Sequence, residues 1–224
     1  MISFKGRNMM CTYEKASNEK LEGIMMAKDF YSAIEDRRSI YAISKEQVVS
    51  DEKIQEVIYH AVKHTPSAFN SQSARVVVLL GEQHDKLWDI TKETLRKIVP
   101  ENNFASTEEK MNAFKSGYGT VLYFEDSQVV EELQEKFSLY KENFPIWSQQ
   151  SSGMLQFAIW TALEIEGFGA TLQHYNPLID EEVRKEWEVP ESWKLTAQMP
   201  FGKPVVPAGE KEYQPLENRV KIYK

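Results

Sequence analysis

Residues 147–174 read WSQQSSGMLQFAIWTALEIEGFGATLQH, and this stretch sets the class of fold. Met154, Leu155, Phe157, Ala158, Trp160, Thr161, Ala162 and Leu163 put apolar or small side chains all round a helix predicted from Trp147 to Glu166. That is the pattern of a central, buried helix. Gly167-Phe168-Gly169 ends it, and Ala170-Thr171-Leu172-Gln173-His174 follows as a strand.

Upstream, Phe30, Tyr31 and Ile34 recur at helical spacing between Lys28 and Arg37. Ile54, Val57, Ile58, Ala61 and Val62 do the same between Asp51 and Lys63, behind Ser50-Asp51 as caps and ahead of Pro66 as a stop. Arg75 to Leu80 is a β-branched and leucine run closed by Gly81, which predicts a strand buried on both faces. Helices are expected over His84–Val99, Thr107–Ser116 (with Glu108 and Glu109 in the first turn) and Val129–Tyr140. Thr120 to Phe124 reads as a strand ended by the acidic turn Glu125-Asp126-Ser127. Trp193 to Met199 alternates as another strand, ended by Pro200 and Gly202, and Arg219 to Tyr223 is a last short β-like segment. Helices and strands interleave without one-to-one alternation, so the class is α+β. Residues 1–26 are polar and aperiodic and end in Met25-Met26, a second possible start. They read as an extension outside a domain spanning residues 27–224.

The chain has 224 residues, 42% of them hydrophobic, enough for one sizeable core. Its formal net charge of -7 argues against nucleic acid as a partner, because a duplex binder needs a basic field. An anionic ligand must then be held by a local basic cluster. Cys11 is the single cysteine, so there is no intrachain disulfide, and this fits a reducing, cytoplasmic compartment. No apolar run is long enough to span a bilayer, and Met1 to Met10 carry Lys5, Arg7 and Asn8 where a signal peptide needs an apolar core.

The basic cluster is Arg37-Arg38-Ser39, where two guanidiniums beside a hydroxyl make a phosphate clamp. Pro66-Ser67-Ala68-Phe69-Asn70-Ser71-Gln72 supplies donors and acceptors able to read a heteroaromatic edge. Spacing alone leaves open that the arginines are solvated charges closing a helix and the second stretch an ordinary polar loop. Other motifs fail. Gly117-Tyr118-Gly119 and Gly167-Phe168-Gly169 lack a third glycine and precede strands, so neither is a dinucleotide fingerprint. His60 and His64 share a helix face without a third ligand, and a helix-end surface pair is the preferred reading; no metal site is expected. Cys11 has no helix or base behind it to make it a nucleophile.

Asp29-Phe30-Tyr31-Ser32-Ala33-Ile34 through Arg37-Arg38-Ser39-Ile40-Tyr41 resembles the opening of the nitroreductase family of FMN-dependent oxidoreductases. Ser67 to Gln72 follows at the family's distance, and Met199-Pro200-Phe201-Gly202-Lys203-Pro204 with Leu216-Glu217-Asn218-Arg219-Val220 resembles its closing segment. Ser151-Ser152-Gly153-Met154-Leu155-Gln156 is similar to the compact subgroup that includes fungal fatty-acid-repression nitroreductase-like proteins and bacterial copper-induced nitroreductases. The departures are Tyr41, where many members of the larger family carry a basic residue, and Ser73-Ala74-Arg75, where they have Pro-Trp.

The resemblance implies a central mixed or antiparallel sheet flanked by helices, in a homodimer with an exchanged C-terminal segment. It implies FMN held by Arg37, Arg38, Ser39 and Tyr41, with Lys203 and Arg219 completing the clamp. Pro66, Ser67 and Asn70 would come from the partner subunit and Gln72 from the chain's own, while His174 and Tyr175 would offer main-chain amides to the ring. No side chain is assigned a catalytic role, because the flavin carries the chemistry. NADH or NADPH would reduce it and a nitroaromatic or quinone reoxidise it in a ping-pong cycle. The alternative is a low-turnover flavoprotein acting as a redox sensor or regulatory partner in lipid or stress signalling. For Trp147, Phe157 and Trp160 a core role is preferred over substrate stacking, and Gln149 and Gln150 are placed near the pocket.

Overall fold

The computed structural model describes residues 28–224, so the segment 1–26 read as an extension, Cys11 included, lies outside the described residues. The elements run α1 (Phe30–Asp36), β1 (Ile43–Ser44), α2 (Asp51–His64), β2 (Ala74–Leu80), α3 (Glu82–Arg96), α4 (Phe104–Lys115), β3 (Gly119–Asp126), α5 (Ser127–Lys136), α6 (Phe144–Ile165), β4 (Gly169–Ala170), α7 (Asp180–Glu186) and β5 (Trp193–Pro204). Short 3₁₀ turns lie at Ala68–Asn70, Glu101–Asn103, Ser138–Tyr140 and Leu216–Asn218. The strands pair antiparallel in the order β1-β5-β3-β2, with β4 also on β5. The expected α+β class holds.

Alternation along β3 divides two cores, since successive side chains of a strand point to opposite faces. Val121 and Tyr123 join Ala197, Met199 and Phe201 of β5 under Ile54 and Ile58 of α2 and Leu155, Ile159 and Leu163 of α6. Leu122, Phe124 and Leu195 face Leu87, Trp88 and Leu95 of α3, Met111 and Phe114 of α4, and Val183 of α7. Every residue of β3 is buried between the layers.

Several sequence expectations need correction. β2 is the edge of the sheet and mostly half-buried, with only Leu79 buried, because helices cover it incompletely. β3 continues through Glu125 and Asp126, which pair with Lys194 and Trp193. α4 begins at Phe104, so Glu108 and Glu109 lie beyond its first turn. β5 runs on past Pro200, whose carbonyl accepts from the Thr171 N–H at 3.2 Å, and past Gly202, where an added Cβ would meet the Ser44 carbonyl oxygen at 2.5 Å. The strand expected at Ala170–His174 shortens to Gly169–Ala170 plus a bridge from Gln173 to Gln198. Residues 219–223 form no strand and are exposed.

The long helix is not buried all round. α6 turns Leu155, Ile159 and Leu163 to the sheet and leaves Met154, Phe157 and Ile165 exposed. Its inward serines remain satisfied: Ser148 Oγ donates to the Pro145 carbonyl at 3.0 Å and Ser151 Oγ to that of Trp147 at 2.9 Å. The central helix thus carries an outward apolar stripe that the described residues leave uncovered.

Candidate functional site

Asp29 caps α1 by accepting from the N–H groups of Tyr31 and Ser32, and the helix ends at Arg37. The chain then turns beside β4: Ser39 bridges Ala170, and the Ile40 N–H donates to the Ala170 carbonyl at 3.0 Å. β4 pairs with Phe201 and Gly202 of β5, the two residues before Lys203. Arg37, Arg38, Ser39 and Lys203 thus gather at one corner of the sheet.

Arg37 lies across α6, its guanidinium carbon 4.3 Å from the Trp160 ring centroid and 6.0 Å from that of Phe157. Its Nε is buried with no hydrogen-bond partner among the described residues. Burial and the neighbouring Arg38 hold its pKa below the ordinary guanidinium value, with Glu164 opposing. A buried cationic donor without an acceptor fits an anionic group such as the FMN phosphate. Arg38 donates to the Gly209 carbonyl at 2.9 Å, so the tail after β5 passes over it. Lys203 is ion-paired with Glu46, and Arg219 is exposed beyond the Leu216–Asn218 turn.

Tyr41 is half exposed, its ring 6.3 Å from that of Phe114. Burial, with a contribution from Tyr41, pushes the Tyr175 phenol up to about 12. His174 is exposed. The Tyr175 N–H, expected to serve a ligand, already donates to Gln198 Oε1 at 2.7 Å, a bond between residues 23 apart that no local motif announces.

The second group is a closed loop. The Asn70 N–H bonds the Ser67 carbonyl at 3.0 Å and the Ser71 N–H bonds that of Ala68 at 3.0 Å. Ser67 Oγ accepts from the Gln72 N–H at 2.9 Å, and the Gln72 carbonyl accepts from Arg75 at 2.6 Å. Arg75 is held by Asp126 at 2.9 Å. Ser67 and Gln72 therefore sit side by side in one closed loop. Pro66, Ser67 and Gln72 line a groove of about 390 Å³ with Arg75 and Trp193. Asn70, in the same loop, is exposed. Trp147 packs against this loop through Phe69, with ring centroids 6.0 Å apart, and Gln150 lines a neighbouring groove.

Sequence reasoning passed over Arg75 and Asp126, because their role depends on β3 extending through the acidic residues. Trp160, read as a core side chain, does pack against the first core cluster, and its indole also carries Arg37 on one face. Beneath the loop Glu125 is buried, with Oε2 accepting from Ser73 Oγ at 2.6 Å and Oε1 unpartnered among the described residues. Burial pushes its carboxyl up to about 6, against the lowering effect of Ser73 and Arg75. The His60 and His64 rings lie 4.5 Å apart, tilted at 46°, on the exposed side of α2. Among the described residues no three His, Cys, Asp or Glu side chains converge as a metal set.

A three-layer α+β domain with a cation-rich corner beside its central helix matches the model of the nitroreductase family over residues 34–203, and the chain belongs to that family of oxidoreductases. It is 38% identical to HBN1 of Saccharomyces cerevisiae over 84% of this chain and 93% of HBN1. The nitroreductase CinD from Lactococcus lactis, solved in complex with chloramphenicol, is 46% identical and superposes with a TM-score of 0.81, covering 88% of this chain and 100% of CinD. CinD in complex with 4-nitrophenol superposes at 0.80 with 47% identity over the same shares. No described helix is long and apolar enough to cross a membrane.

Proposed function

We propose that the protein is an FMN-dependent reductase acting as a homodimer, taking electrons from NADH or NADPH and passing them to nitroaromatic or quinone-type acceptors. One observation carries this reading. Arg37 rests on Trp160 and the Ser67–Gln72 loop packs through Phe69 on Trp147, and these indoles belong to one helix. At about 1.5 Å per residue they are about 20 Å apart along its axis, so the arginine corner and the loop of one chain sit at opposite ends of the helix. Two copies packed through the exposed Met154 and Phe157 stripe of α6 would bring the arginine corner of one to the loop of the other.

In that arrangement Arg37 and Ser39 would hold the phosphate or the pyrimidine edge of the ring with Arg38 beside them, and Lys203 and Arg219 would complete the clamp. Tyr41 closes the edge of the same corner. Pro66, Ser67, Asn70 and Gln72 of the other copy orient the ring through polar contacts, and the main chain at His174 and Tyr175 borders it. Cations on one side of the ring favour the negative charge that reduction adds. Bound FMN supplies the electron transfer itself. The open groove next to the loop leaves room for a planar acceptor, and the two nitroaromatic ligands crystallised with CinD support that acceptor class.

The test is to release the cofactor from purified protein by heat and identify it, then to measure steady-state rates against both substrates. FMN and parallel reciprocal plots are expected, since donor and acceptor use one place in turn. FAD in the supernatant, or intersecting plots, would contradict the reading. Bound FMN that neither NADH nor NADPH reduces would favour the sensor alternative.

A further inference from the structure

The loop from Ser67 to Gln72 holds Phe69, Asn70 and Gln72 at φ of 56°, 50° and 49°. Asparagine tolerates this left-handed region, because its short polar side chain bonds locally, but a bulky aromatic residue there is an outlier. Phe69 is also 50% exposed, so burial does not account for its place. Four rings surround its exposed side chain: Phe137 at 4.9 Å, Phe144 at 5.2 Å, Tyr140 at 5.8 Å and Trp147 at 6.0 Å, the last nearly parallel at 18°. They come from three elements, the end of α5, the Ser138–Tyr140 turn and the start of α6. Glycine would adopt the same backbone at less cost. The phenyl ring supplies what glycine cannot, a fixed attachment for the middle of the loop.

We infer that Phe69 is the positioning residue of the flavin-facing loop: its aromatic clasp holds the left-handed backbone that presents Asn70 and Gln72 to the cofactor. The inference rests on the flavin reading proposed above. The polar ties at Ser67 and Arg75 fix the two ends of the loop, and the clasp fixes its centre. Strain stored in this way persists only where the surroundings over-determine it, and functional loops are where it collects.

The test uses the full chain with Phe69→Gly, Phe69→Tyr and Phe137→Ala, each titrated as apoprotein with FMN by fluorescence quenching, with thermal unfolding followed alongside. Phe69→Gly relieves the strain and removes the clasp, and is expected to weaken FMN binding about tenfold or more. Phe69→Tyr keeps the ring and should bind within about threefold of the wild type. Phe137→Ala, at a side chain that no reading places on the flavin, should weaken binding by about threefold or more. Glycine-variant affinity within about threefold of the wild type, or an unchanged Phe137→Ala affinity, would overturn the positioning role. If the glycine variant does not fold, Phe69→Leu replaces it under the same limits. Wild-type protein that binds no FMN would defeat the flavin reading itself, whereas tight wild-type binding with unaffected variants defeats only the role of Phe69.

Discussion

Arg37 stacks on Trp160 with its guanidinium carbon 4.3 Å from the ring centroid, and its buried Nε meets no acceptor among the described residues. The indole holds the flat face of the guanidinium while the edge keeps its donors for a ligand. Arg37→Ala should weaken FMN binding by about 1.5–3 kcal/mol, the range for a hydrogen bond to a charged group. Arg37→Lys should recover only part of this, because an ammonium offers neither the planar stack nor the fork. Fluorescence titration of the apoprotein measures both. Wild-type affinity in Arg37→Ala would remove the residue from the site.

Burial of His84 should make the protein lose stability in acid. The side chain is fully buried between layers, with Nδ1 2.8 Å from Thr120 Oγ1 and Nε2 3.2 Å from the Lys115 carbonyl. Trp88 Nε1 donates to the same Thr120 Oγ1 at 3.0 Å, so the hydroxyl proton is free for Nδ1 and the neutral ring carries its proton on Nε2. Burial pushes the imidazole down to about 4. The unfolded chain therefore takes up this proton first, and the contribution present above pH ~6.5 is lost as pH falls towards 4, about 3 kcal/mol in all. Urea unfolding from pH 7.5 to 4 should show a flatter acid limb for His84→Gln than for the wild type. Identical limbs would contradict the assignment.

Glu125 acts in the opposite sense. Its folded pKa of about 6 lies above the ordinary carboxyl value of 4.5, so its contribution is complete below pH ~4.5 and is lost as pH rises through 6. Glu125→Gln keeps an acceptor for Ser73 and should stabilise the protein by about 2 kcal/mol at pH 8 while changing little at pH 4.5. Equal effects at both pH values would show that the carboxyl does not titrate as described.

The tail makes a separate prediction. Tyr213, Leu216, Val220, Ile222 and Tyr223 are all exposed apolar side chains, and none belongs to either core. If the segment fastens the partner, deleting residues 217–224 leaves the domain folded but loosens the dimer and lowers flavin content together. Sedimentation velocity and the absorbance ratio of the truncated chain test this. A stable, fully loaded dimer would free the tail of both roles.

Most of the layer architecture was legible because apolar periodicity reports which face of an element is covered. Ile54, Val57, Ile58 and Ala61 announced α2, and Ser50 announced its cap, which indeed accepts from the Lys53 N–H. Periodicity cannot report what lies beyond a strand's edge. Arg75–Leu80 has the composition of an interior strand yet lies at the margin. Pro200 and Glu125 were read as terminators from local propensity, and pairing with neighbouring strands overrode both. In the site, the basic corner stood out against an acidic chain, whereas the Arg75–Asp126 tie and the Phe69 clasp join residues far apart in sequence.

The central claim is that this chain holds FMN and cycles it between a nicotinamide donor and an aromatic acceptor. Anaerobic titration of the purified protein with NADPH and then NADH, followed by 4-nitrophenol or a quinone, tests it most directly through the flavin absorbance. The expected result is a yellow protein that bleaches with one donor equivalent per flavin and recovers its colour when the acceptor is added. A protein that takes up no FMN, or whose flavin stays oxidised with both donors, would contradict it.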